Sequence, residues 1–137
     1  MMTRRKIFAD DGGAAAVEFA LAVPVLITFI WGIFQFSIVL LAQSGVKNAL
    51  GEGARYATVF VLANNGPPTE AEIKSKITSS KFGLGNGTWD EPQLDWDTTA
   101  HTVDISVSYT QPTSFLFFDG PDITLTGEKT VYYSPPA

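Results

Sequence analysis

Glu18 is the only charged residue among the 29 positions from Ala14 to Ala42. A carboxylate in or beside an apolar span is costly unless it reaches the headgroups or meets an opposite charge. Ion pairing is therefore the chemistry this residue offers. The rest of the chain offers little else. Its 137 residues include no cysteine and one histidine, His101. That excludes a disulfide framework, a thiolate metal site and a cysteine nucleophile, and it disfavours a multi-histidine centre. No nucleophile stands beside a base in the sequence, so no catalytic residue is assigned and the chain reads as a non-enzyme. Asp95, Asp97 and Asp104 invite a calcium site but lack the spacing of an oxygen-rich loop. Gly83 to Gly87 lacks the Gly-Lys-Ser/Thr of a phosphate cradle. His101 sits at a turn and is expected to be exposed. No metal and no cofactor is expected.

The elements that position Glu18 divide the chain sharply. Phe19 to Ala42 is uncharged over 24 residues. As a helix it measures roughly 36 Å at about 1.5 Å per residue, enough to cross a hydrocarbon core of about 30 Å. Its apolar residues favour no single face, which suits contact with membrane lipid. Pro24 removes one backbone donor and is expected to kink the helix. Trp31 can anchor a helix contact or face lipid. Arg4, Arg5 and Lys6 precede the span, whereas only Lys47 and Arg55 follow it closely. The positive-inside bias then puts the N-terminus in the cytoplasm and the rest outside it. After Gln43 come six basic and eleven acidic residues. The overall charge of −5 disfavours nucleic-acid binding.

Beyond the span the apolar period becomes helical. Val46, Ala49, Leu50, Gly53, Ala54, Ala57, Phe60 and Val61 form one stripe, so the helix continues outward until Asn64-Asn65-Gly66-Pro67-Pro68 stops it. Gly45, Gly51 and Gly53 cost about 1 kcal/mol each relative to Ala, and are expected to permit close packing on a sheet. Glu52 and Arg55 are spaced to pair on the helix surface. Thr69 to Lys81 reads as a short helix capped by Thr69. Strands follow at Gln93–Asp97, Thr102–Thr110 and Ile123–Tyr133. In the middle one Val103, Ile105, Val107 and Tyr109 alternate with Asp104, Ser106 and Ser108. Phe115 to Phe118 is expected to plug the core, with an exposed patch for a partner or the membrane as the alternative. The fold class is α+β: a long N-terminal helix, a short helix and an antiparallel sheet of about three strands packed on the helix's outer half.

Three stretches carry a family resemblance: "DDGGAAAVEFAL" at 10–21, "PVLITFIWGIFQF" at 24–36 and "NALGEGARYA" at 48–57. In this order they resemble the type IV prepilin junction in general and the TadE-like pseudopilins of the tight-adherence (Tad, Flp) pilus in particular. The resemblance implies a cytoplasmic leader at 1–13, a retained transmembrane helix at 14–42 and an exported head at 43–137. It implies cleavage by a prepilin peptidase between Gly13 and Ala14, on the cytoplasmic side. Gly12 offers a second cut site, but only Gly13 makes Glu18 the fifth residue of the mature chain. Glycine suits a protease that needs an unhindered backbone.

The implied function is that of a minor pilin in the bacterial inner membrane, single-pass, with its head in the periplasm. It would help assemble the pilus through helix packing with other pilins and pseudopilins. Glu18 and Phe19 would set assembly and register, the carboxylate meeting the Ala14 amine of a neighbour. Arg55 and Tyr56 are candidate partner contacts. The competing reading is a membrane-anchored periplasmic binding domain that never enters a filament.

Overall fold

The computed structural model describes residues 11–64, 66–82 and 86–133. The basic leader residues Arg4, Arg5 and Lys6, and the start of the glycine-rich loop at 83–85, lie outside the described residues.

One helix, α1 (Asp11–Asn64), has 54 residues and runs through Pro24 without a break. It spans roughly 80 Å. Its two halves have different surroundings. From Val17 to Phe36 large apolar side chains face outward, with Phe19, Leu21 and Phe29 each 70% exposed. From Ala42 onward one stripe is covered: Ala42, Val46, Ala49, Leu50, Ala54 and Ala57 are buried. The stripe follows three- and four-residue steps, as a one-sided helix requires.

The short helix α2 (Glu70–Ser79) packs on this outer half through buried Ile73 and Ile77. Thr69 caps it. The Thr69 hydroxyl accepts from the backbone N–H of Glu72, and the Glu72 carboxylate accepts from the backbone N–H of Thr69 at 2.8 Å. Reciprocal bonding of this kind satisfies two donors that a helix start leaves free.

The sheet is antiparallel and centred on β3 (Thr102–Gln111). On one side lies β6 (Ile123–Tyr132), paired along ten residues. The other side is shared by β1 (Thr88–Trp89) and β2 (Gln93–Asp97), which meet opposite ends of β3. Three lanes therefore contain four strands. Val103, Ile105, Val107 and Tyr109 face α1 and are buried, whereas Asp104, Ser106, Ser108 and Thr110 face outward. On that outer face Ser108 bonds Thr126 and Thr110 bonds Thr124, each at 3.1 Å. The turn from β2 to β3 is held by the Asp97 carboxylate, which accepts from the N–H groups of Thr99 and Ala100. His101 closes it, exposed, with φ of 52°.

Two expectations are corrected. The helix glycines do not open a path for the sheet. A β-carbon on Gly53 would lie 2.4 Å from Ile77 of α2, and one on Gly45 would lie 2.1 Å from the Phe82 carbonyl oxygen. Gly51 faces open space. The sheet makes room instead at Gly127, where a β-carbon would come within 3.0 Å of Val46 and 3.2 Å of Leu50. Nor does Phe115–Phe118 plug the core. It forms a hairpin, β4 (Ser114–Phe115) with β5 (Phe118–Asp119), that stands apart from the sheet. Leu116, Phe117 and Phe118 are exposed, while Phe115 is half-buried and stacks on Phe118.

Candidate functional site

The bare inner half of α1 carries the candidate assembly residues. Gly13, Ala14, Glu18 and Phe19 are all helical and exposed. Among the described residues nothing bonds or ion-pairs with Glu18. An exposed, unpaired carboxylate on an otherwise apolar surface keeps its bonding capacity for a group outside the subunit. Gly13 lies within the first turns of α1. Gly12 and Gly13 weaken those turns, since glycine is the weakest helix former after proline.

Arg55 and Tyr56 stand elsewhere. They lie 37 residues beyond Glu18 on the same helix, roughly 55 Å away along its axis. The Arg55 guanidinium is 3.7 Å from Glu52, and its side chain is 74% exposed. Tyr56 is half-buried, packs on the core and stands 5.6 Å from the ring of Phe60. Glu52, Arg55, Tyr56, Val59 and Lys76 line a shallow groove between α1 and α2. The two candidate pairs thus belong to separate places: Glu18 and Phe19 on the bare helix, Arg55 and Tyr56 at the outer end of the head.

Charged groups of the head mostly serve local structure. The backbone N–H of Thr69, and then its hydroxyl, hold the Glu72 carboxyl below its usual range. Lys74 bonds Glu70 at 2.8 Å and Glu91 at 2.9 Å; those carboxylates raise its pKa, and Lys74 in turn lowers that of Glu91. Asp95 and Asp104 sit opposite each other across the ladder, and Asp104 accepts from Thr130 at 2.5 Å. No group of three or more His, Asp or Glu residues suited to a metal ion occurs among the described residues.

Sequence reasoning missed one constellation. The indole N–H of Trp31 and the side-chain amide of Gln35 both donate to the carbonyl of Ser114, at 2.8 and 2.5 Å. The β4–β5 hairpin is thereby tied to α1 well inside the apolar stretch. A signal was present: Gln35 is the only carboxamide between Phe19 and Ala42. An amide in an apolar span needs a partner.

The described helix is long and apolar enough, from Gly13 to Phe60, to cross a membrane. The comparison with protein families bears on the N-terminal part. Residues 13–55 match the family of TadE-like proteins. No curated protein and no solved structure matches the chain significantly. The TadE-like match opens at Gly13, takes in Glu18 and the bare helix, and ends at Arg55. It covers neither α2 nor the sheet.

Proposed function

We propose that this TadE-like chain is a minor pilin, or pseudopilin, whose bare inner helix enters a bundle of similar helices during assembly of a Tad pilus. A prepilin peptidase cuts between Gly13 and Ala14. The new Ala14 amine, mostly cationic at neutral pH, meets Glu18 of a neighbouring subunit. At about 4 Å and an effective dielectric near 20 that attraction is roughly 4 kcal/mol before desolvation is subtracted. It rewards one axial stagger of the helices over others. The span runs from the cytoplasm outward, in keeping with Arg4, Arg5 and Lys6 ahead of it, and the head lies on the periplasmic side.

The observation that carries this reading is the surface of α1 between Ala14 and Phe36. Its large apolar side chains are exposed, and its one charge, Glu18, has no partner among the described residues. Intact mass and terminal peptide sequencing of protein extracted from the membranes of its native host test the processing step. A start at Ala14 is expected; a start at Met1 or Met2 removes the amine and overturns it. Piliation of a Glu18→Ala strain tests the pairing step. Loss of pili with unchanged membrane levels of the subunit is expected. Normal pili would leave the chain as a membrane-anchored periplasmic domain that never enters a filament.

A further inference from the structure

We propose that the β4–β5 hairpin is a second membrane contact, its Leu116-Phe117 tip and Phe118 resting in the outer leaflet of the bilayer that α1 crosses. The inference rests on α1 being the span, and it adds a site on the head that the assembly reading does not use.

Three observations point to lipid as the occupant. The first is composition: Leu116, Phe117 and Phe118 are adjacent and 45%, 78% and 63% exposed. The second is depth. Counting from Ala14 at about 1.5 Å per residue, a hydrocarbon core of about 30 Å ends near Phe34. Trp31 and Gln35 bracket that level, and they are the residues bonded to Ser114 at the base of the hairpin. Trp is also a residue favoured at the membrane–water interface. The base of the hairpin is therefore held against α1 near the level at which a span counted from Ala14 reaches its outer interface.

The third is polarity along the hairpin. Its tip is apolar, whereas its base adjoins a cavity of about 470 Å³ bordered by Gln111, Thr113, Asp119 and Asp122 on the head side. Several backbone groups at the base are bonded within the chain. The Ser114 carbonyl takes two side-chain donors, the Gly120 N–H donates to the Thr113 carbonyl at 2.9 Å, and the Thr113 hydroxyl donates to the Pro121 carbonyl at 2.8 Å. A peptide with an apolar tip and a polar, internally bonded base is built to lie at an interface.

The absence of cysteine makes the test direct. Single cysteines are placed in the full chain at Phe117, at Phe29 on the bare helix and at Thr126 on the outer face of the sheet. Each is labelled with a small environment-sensitive fluorophore and reconstituted in phosphatidylcholine–phosphatidylglycerol vesicles. The expected result is that the label at 117 is several-fold less quenched by iodide than the label at 126. It is also quenched by shallow spin-labelled lipid, independently of protein-to-lipid ratio. Equal iodide quenching at 117 and 126, with 29 still protected, overturns the hairpin contact and leaves the span intact. Exposure of all three overturns the span and the inference with it. Protection at 117 that fades on dilution into excess lipid overturns it too, by making a second copy of the chain the occupant. Leu116→Cys, labelled in the same way, guards against a perturbation peculiar to one site.

Discussion

Gly53 of α1 lies against Ile77 of α2 with no room for a methyl group: a β-carbon there would stand 2.4 Å from Cγ1 and 2.9 Å from Cδ1 of the isoleucine. Ile77 is fully buried, so it cannot swing into solvent to make way. Overpacking of this kind typically costs about 1–3 kcal/mol. Gly51, two positions earlier, has nothing within 4 Å of its own notional β-carbon. There alanine relieves the helix penalty of glycine, about 1 kcal/mol. Gly53→Ala is therefore expected to lower the melting temperature of the detergent-solubilised chain, and Gly51→Ala to raise it. Tryptophan fluorescence during heating reads both, and equal signs would show that α1 and α2 are not packed in this way.

Gly45 should be the least tolerant of the three helix glycines. The atom in the way is backbone, the Phe82 carbonyl oxygen at 2.1 Å, with the Trp89 ring edge at 3.7 Å behind it. Relief requires moving the segment after α2. Lys81, whose ammonium lies 5.4 Å from the centre of the Trp89 ring, would move with it. The expected outcome for Gly45→Ala is a larger loss of melting temperature than for Gly53→Ala, together with a shift in tryptophan emission.

The cap of α2 gives a pH-dependent signature. Bonds from the Thr69 backbone and hydroxyl lower the Glu72 pKa in the folded chain from its ordinary 4.5. A depressed folded-state pKa means that the stabilisation is complete above the unfolded value and is lost as pH falls through the folded one. The cap is thus intact at neutral pH and fails on acidification below about 4.5. Glu91, lowered by Lys74, acts in the same direction. The raised pKa of Lys74 means that its share persists at neutral pH and is lost only on strong alkalinisation. Amide exchange at residues 70–73 is expected to accelerate between pH 5 and 3 relative to the intrinsic rate. Thr69→Ala, which removes the hydroxyl acceptor, should cost about 1 kcal/mol at neutral pH. Equal protection at both ends of that range would rule out the cap as the source.

Much of this architecture was legible because it rests on local rules. The alternation of Val103, Ile105, Val107 and Tyr109 specified β3 and its inward face. Asn64 marked the helix end and Thr69 the cap because each answers to backbone geometry within a few residues. That Glu18 has no partner among the described residues accords with its being the only charge from Ala14 to Ala42. What escaped was non-local or too short to have a period. Two-residue strands such as β1, β4 and β5 carry no alternation. Phe115–Phe118 read as core because hydrophobicity alone does not say which apolar surface a segment will join. Ser114 and Gln35 are 79 positions apart, and only the folded chain brings them together.

That long-range contact supports a prediction of its own. The Ser114 carbonyl receives two donors, from Trp31 and Gln35, so either can be removed while the other still satisfies it. Trp31→Phe keeps an aromatic ring without the N–H, and Gln35→Leu keeps approximate volume without the amide. Each alone should cost little. Together they remove both donors from the Ser114 carbonyl, and losing its last side-chain hydrogen bond costs about 0.5–1.5 kcal/mol. The double variant is therefore expected to lose more stability than the sum of the two single variants. Exchange at the amides of residues 114–119 should rise in the double variant alone, while that of β3 stays unchanged. Strict additivity would mean that the two donors do not share Ser114 and that the hairpin is held by other contacts.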